Sequence, residues 1–195
     1  MALSASTGFR VYKHGAGEFA SPVSLTYKIA NSTTLKLGDL VRVNTGGFLV
    51  RAATGEAPAG VLQGVIDANG TPPWTSFWVN NAGVTITNDD TIVSSSSNQT
   101  RSDNYIQGQI GFDPAGITLY YNDADSSLAA TNLFQFFDVA SSNQVTVGSA
   151  SDANGQVQLI SVDPDNDADL SKGLFRINEN QFSMGLDTAT AKNAA

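Results

Sequence analysis

Seven residues, DPDNDAD at 163–169, hold four aspartates, and three of them alternate at 163, 165 and 167. A hard divalent cation takes several oxygen ligands from one short segment, so alternating carboxylates are how a calcium loop begins. That loop also needs a glycine at its sixth position and a bidentate glutamate at its twelfth. Here those positions hold Ala168 and Leu174, and Pro164 interrupts the run. The stretch reads as a solvated acidic turn, and no metal or other cofactor is expected.

The remaining chemistry-bearing residues are sparse. His14 is the single histidine, so any Ser-His-Asp arrangement would have to use it, and a three-histidine metal site is excluded by count. It sits in a glycine-rich stretch whose nearest acid is Glu18. Gly15 and Gly17 do not make a phosphate-cradling loop, because no lysine follows at the required spacing. Cysteine is absent, which removes thiol nucleophiles, disulfides and cysteine-ligated zinc. Only Glu56 and Glu179 are glutamates beyond residue 51, and no clustering of aromatic and acidic residues marks a glycosidase cleft. No catalytic residue is assigned, and the chain reads as a non-enzyme.

Charge is divided unevenly. Of the net −8, residues 1–51 carry six cations against two acids, a balance of +4, and residues 52–195 carry four against sixteen, a balance of −12. Between 102 and 171 there are ten aspartates and no cation. So acidic a body repels nucleic acid, while the basic first quarter suits an acidic protein surface; an incidental asymmetry of a solvated face is the plainer alternative. No run of about 18 apolar residues offers a membrane span, and the first residues lack a secretory leader. Synthesis and first folding in a cytosol are expected.

The elements that would carry these residues have a period of two. In LVRV at 40–43, Val41 and Val43 share one face while Leu40 and Arg42 share the other. NTGG at 44–47 supplies residues that tolerate a tight reversal, and FLVR at 48–51 returns as the hairpin partner. VLQGVI at 61–66 is a third strand, and LTYKI at 25–29 an earlier one. Further strands are expected at 84–87, 91–93, 105–112, 117–121, 144–147, 156–162 and 174–177, with DPAG at 113–116 as a turn. Residues 126–139 fit either a short helix or a strand; a loop or single helical turn followed by a strand is preferred. Residues 94–104 form a polar surface loop. Strands recurring every 10 to 15 residues predict an all-β, sandwich or barrel-like body of short antiparallel strands, spanning 25–186. Residues 187–195 read as a flexible tail.

Residues 1–24 read as an extended arm, since Gly15, Gly17 and Pro22 argue against a helix. Its apolar anchors Phe9, Val11 and Phe19 require cover, from the chain's own body or from a neighbour. Both tryptophans, Trp74 and Trp78, lie four residues apart beside Pro72 and Pro73. They fit a buried core or subunit contact, with a sugar-binding platform as the alternative.

The run Leu37-Gly-Asp-Leu-Val-Arg-Val, then Gly46-Gly-Phe, Ala52-Ala-Thr-Gly-Glu and Gly60-Val-Leu-Gln-Gly-Val, resembles a signature of tailed-phage capsid decoration (cement) proteins. These are small β-rich proteins on the outside of a head shell. The resemblance implies a structural virion protein on the outer capsid surface, made in the host cytoplasm, that forms a homotrimer and contacts the major capsid protein. On that reading Phe9, Arg10, Val11, Tyr12, Lys13 and Phe19 are contact residues, with Trp74 and Trp78 as subunit-interface anchors. No nucleic acid and no membrane is an expected partner. The alternative is a carbohydrate- or host-surface-binding β module of a fibre or adhesin, which exposed tryptophans would favour.

Overall fold

A computed structural model describes residues 8–13, 23–30, 33–66, 85–87, 107–113, 116–140, 144–162, 164, 168–178 and 180–181. The strands among them are β1 (Arg10–Lys13), β2 (Val23–Lys28), β3 (Thr34–Lys36), β4 (Leu40–Val43), β5 (Leu49–Arg51), β6 (Gly60–Ile66), β7 (Thr85–Thr87), β8 (Gln107–Phe112), β9 (Leu119–Asp123), β10 (Phe136–Phe137), β11 (Val157–Val162) and β12 (Lys172–Ile177). The only helical pieces described are single 3-10 turns at Ala130–Asn132 and Val147–Ser149. The chain is all-β.

Two five-stranded antiparallel sheets carry the body, ordered β2-β8-β6-β4-β5 and β1-β9-β12-β11-β10, with β3 and β7 as a separate pair. Each sheet also closes on itself. In the first, Ile29 just beyond β2 makes a parallel bridge to Leu49 of β5, and the Ala30 N–H donates to the Leu49 carbonyl at 3.0 Å. In the second, Val145 bridges Val139 after β10 and, in parallel, Ala124 after β9, while the Asp125 N–H donates to the Val145 carbonyl at 2.9 Å. Closure removes most of the unpaired edge that an open sheet would present.

The two closed sheets repeat one plan. β2, β4, β6 and β8 of the first correspond to β9, β10, β11 and β12 of the second, and the pairings match register by register. Leu62 faces Ile110, Gly64 faces Gln109, and a bulge lies between them; Leu159 faces Phe175, Ser161 faces Leu174, and a bulge lies at the same place. Gly38 N–H donates to the Leu62 carbonyl and Phe134 N–H to the Leu159 carbonyl. Both donors have positive φ, at 85° and 66°. The hairpin turns match too, with Asn44 N–H to the Phe48 carbonyl and Ala140 N–H to the Gln144 carbonyl, each at 2.9 Å.

Each barrel has its own interior. Ile29, Leu35, Val41, Leu49, Ala59, Leu62 and Ile110 fill the first. Tyr120, Phe137, Val157, Leu159 and Phe175 are central to the second, whose cluster extends to Leu40, Ala52 and Val61 of the first. The period of two explains the split: on β4, Val41 points into the first barrel while Leu40 points out and meets the second. A buried Gln156 stitches the barrels together. Its amide donates to the Ala53 and Glu56 carbonyls at 3.0 and 2.8 Å, and its Oε1 accepts the Val139 N–H at 2.9 Å. Gln181 does the same for Val43, accepting its N–H at 2.8 Å and donating to its carbonyl.

The expected hairpin forms as read. Asn44 Oδ1 accepts the Gly46 and Phe48 N–H groups at 2.9 and 3.0 Å, and Gly47 takes φ +79°. Residues 126–139 give a 3-10 turn and then the short strand β10, the preferred alternative. The strand expected at 144–147 is cut to a single bridging residue, Val145, and a 3-10 turn. Side chains take the backbone there: Asp125 Oδ1 accepts the Val147 N–H at 2.9 Å, and Ser149 Oγ accepts the Asp138 N–H at 2.8 Å while donating to the Thr146 carbonyl at 2.7 Å. Residues 91–93 and 94–104 lie outside the described residues.

Candidate functional site

The acidic run at 163–169 is described at Pro164, Ala168 and Asp169. Ala168 has φ +66°, so the chain takes the left-handed turn that a calcium loop gives to glycine, with alanine in its place. Asp169 is turned back on its own segment. Its Oδ1 accepts the Ser171 N–H at 3.1 Å and the Ser171 hydroxyl at 2.6 Å, and its Oδ2 lies 3.3 Å from Lys172 Nζ. The Ser171 bonds, chiefly the hydroxyl, hold the Asp169 carboxyl below the usual carboxylate range. Among the described residues no three histidine, cysteine or acidic side chains group as metal ligands.

Of the residues singled out for contact, five belong to β1 and its entry. Phe9 is 3% exposed and stands edge-on to Tyr120 and Phe175, with ring centroids 6.3 and 6.2 Å away. It is core of the second barrel. Gly8 makes this possible: its φ is +79° and its backbone crosses that of Gly38, φ +85°, so closely that a Cβ on either would lie 2.8–2.9 Å from the other's main chain. The Phe9 N–H then donates to the Gly38 carbonyl at 3.0 Å. Beyond this crossing, Arg10 pairs with Tyr121, Val11 with Tyr120 and Lys13 with Leu119, with a bulge at Tyr12. Val11 and Tyr12 are 37% and 48% exposed, and Lys13 is exposed. Phe19, Trp74 and Trp78 lie outside the described residues, as does His14.

The signature run supplies β4, β5 and most of β6 of the first barrel. Asp39 is fully buried and its Oδ1 lies 3.3 Å from the Arg51 guanidinium. Arg42 Nε meets Glu56 Oε2 at 2.8 Å, and the same oxygen accepts the Ala53 N–H at 2.7 Å. A Cβ on Gly60 would strike the Gly111 carbonyl, so β6 and β8 approach more closely than a side chain permits. The signature's polar and glycine positions thus fix turns, an ion pair and a strand crossing.

Two surface features were not singled out from the sequence. Phe134 is 64% exposed at φ +66°, an aromatic in the conformation its counterpart Gly38 adopts without cost. Ser24 and Thr26 on β2 are exposed at an edge with no strand beside them among the described residues. Alternation of Ser24, Thr26 and Lys28 with Leu25, Tyr27 and Ile29 was the signal that could have placed that edge. No family model, no curated protein and no solved structure matches this chain.

Proposed function

We propose that this chain is a structural virion protein that binds the outside of a tailed-phage capsid and stabilises the shell. The observation that carries the reading is the signature segment at 37–65. Its resemblance to capsid decoration proteins comes from residues that together make one folded unit, β4 through most of β6, with Asp39 and Arg51 paired across it. A segment whose pattern is spent on building a small barrel suits a protein that works by presenting surface.

The mechanism is mass action. A protein that binds the closed shell and not the open one shifts the balance toward the closed shell. Assembly as a homotrimer would place several weak contacts on one particle and multiply them through avidity. The major capsid protein is the proposed partner, and the exposed part of β1 (Val11, Tyr12, Lys13) is the proposed contact on this side, with Phe9 holding that strand in place. Trp74 and Trp78 remain the proposed subunit-interface anchors.

The test is direct. Purified protein is mixed with isolated shells that lack it and the mixture is sedimented. The reading expects saturable co-sedimentation with a fixed number of copies per shell; protein left wholly in the supernatant across a range of salt concentrations overturns it.

A further inference from the structure

The repeat of one plan in two barrels exposes a difference between them. In the second barrel, the outer edge of β9 at Leu119–Tyr121 is covered by β1. The equivalent edge in the first barrel is that of β2 at Ser24–Thr26, because Leu25 pairs with Ile110 as Tyr120 pairs with Phe175. No strand lies there among the described residues.

The direction of the free groups follows from the closure. Backbone groups of successive residues in a strand point to opposite edges. The Ala30 N–H reaches Leu49 on the closing side, and β2 pairs with β8 without a bulge from Val23 to Lys28. Ser24 and Thr26 therefore point their N–H and carbonyl groups away from β8. They occupy the positions that Leu119 and Tyr121 hold opposite Lys13 and Arg10. Burial follows the same difference. Tyr120, under Phe9, is fully buried, while its counterpart Leu25 is only partly buried.

We infer that the Ser24–Thr26 edge of β2 is an acceptor site for one extended, acidic strand of a partner protein, which adds antiparallel as β1 adds to β9. Strand addition of this kind draws its affinity from main-chain hydrogen bonds. A second copy's β1 is a poor occupant, because its Phe9 is committed to its own core and it carries Arg10 and Lys13. An acidic strand is the complementary choice, since β2 bears Lys28 and lies in the part of the chain with a balance of +4. The inference deepens the proposed function by giving the shell protein a place to dock, and it rests on that reading only for the identity of the partner.

The test uses the full-length protein, isotope-labelled for NMR, and two synthetic peptides. One has the sequence of residues 8–13; the other carries Arg10→Glu and Lys13→Glu. The acidic peptide is expected to shift the Ser24 and Thr26 amide signals, slow their hydrogen exchange, and bind more tightly than the basic one. Thr26→Pro removes an outward N–H while sparing the β8 ladder, and is expected to weaken binding at least about tenfold. Should that variant fail to fold, Ser24→Pro serves instead. Unchanged Ser24 and Thr26 signals, or shifts confined to Leu119–Tyr121, overturn the inference. Peptide binding here alongside failure to sediment with shells would keep the edge and discard the capsid.

Discussion

Phe9 shows how a single residue decides what the N-terminal segment is. Its ring lies edge-on to Tyr120 and Phe175 in a cluster that joins both barrels, so the strand that follows it is anchored at one end and exposed along its side. Phe9→Ala is expected to cost about 3–5 kcal/mol, the usual range for emptying a buried aromatic site, read as a lower midpoint in urea. A loss under about 1 kcal/mol would mean that the ring is not core. The Tyr120 hydroxyl is likewise governed by its immediate surroundings. Burial, with the Asp113 charge adding to it and the nearby Thr118 side chain opposing it, pushes the Tyr120 phenol well above the ordinary tyrosine value. A pKa raised in the folded state leaves stability intact below the unfolded value near about pH 10 and erodes it as pH climbs further. Alkaline unfolding is therefore expected, and Tyr120→Phe should move that transition to higher pH. An unmoved transition would assign the alkaline limit to other groups.

Elements explain how much of this was readable in advance. The β4–β5 hairpin was legible because Asn44 and Gly47 dictate the turn locally and the alternation of Val41 and Val43 with Leu40 and Arg42 sets the faces. The cut strand at 144–147 was not, because it depends on the Asp125 and Ser149 side chains taking backbone N–H groups at Val147 and Asp138. The repeat of one plan was hidden for a physical reason: a barrel interior demands volume and turn conformation, not identity. Leu25 corresponds to Tyr120, Ile29 to Ala124, Asn44 to Ala140 and Gly38 to Phe134, and few positions, such as Leu62 and Leu159, keep the same residue. Of the candidate contacts, Val11 and Tyr12 were legible as apolar residues needing an account, whereas the burial of Phe9 rests on the Gly8–Gly38 crossing, which joins segments 30 residues apart in the chain. The repeat also supplies a prediction. At Phe134 the left-handed backbone costs roughly 1 kcal/mol or more for any residue with a Cβ, and the ring is mostly in solvent. Phe134→Gly is expected to leave stability unchanged or raise it by up to about 1 kcal/mol, measured by chemical denaturation. A clear loss would show the ring packing against its own barrel.

At the scale of the whole molecule, two barrels of one topology are fused through Leu40, Ala52 and Val61 and stitched by Gln156 and Gln181. Among the described residues of the two five-stranded sheets, β1 and β2 are the strands with an uncovered edge. Charge is distributed on the same scale, with the basic balance in the first 51 residues and the acidic one in the remainder, so any association made through the basic part should weaken with salt. Stabilisation of the shell by binding is read out by calorimetry of isolated shells. Shells saturated with the protein should melt at a higher temperature than bare shells, with the shift growing as protein is added and levelling off at full occupancy. Shells that melt at the same temperature at every protein concentration, under conditions where the protein itself stays folded, would contradict it.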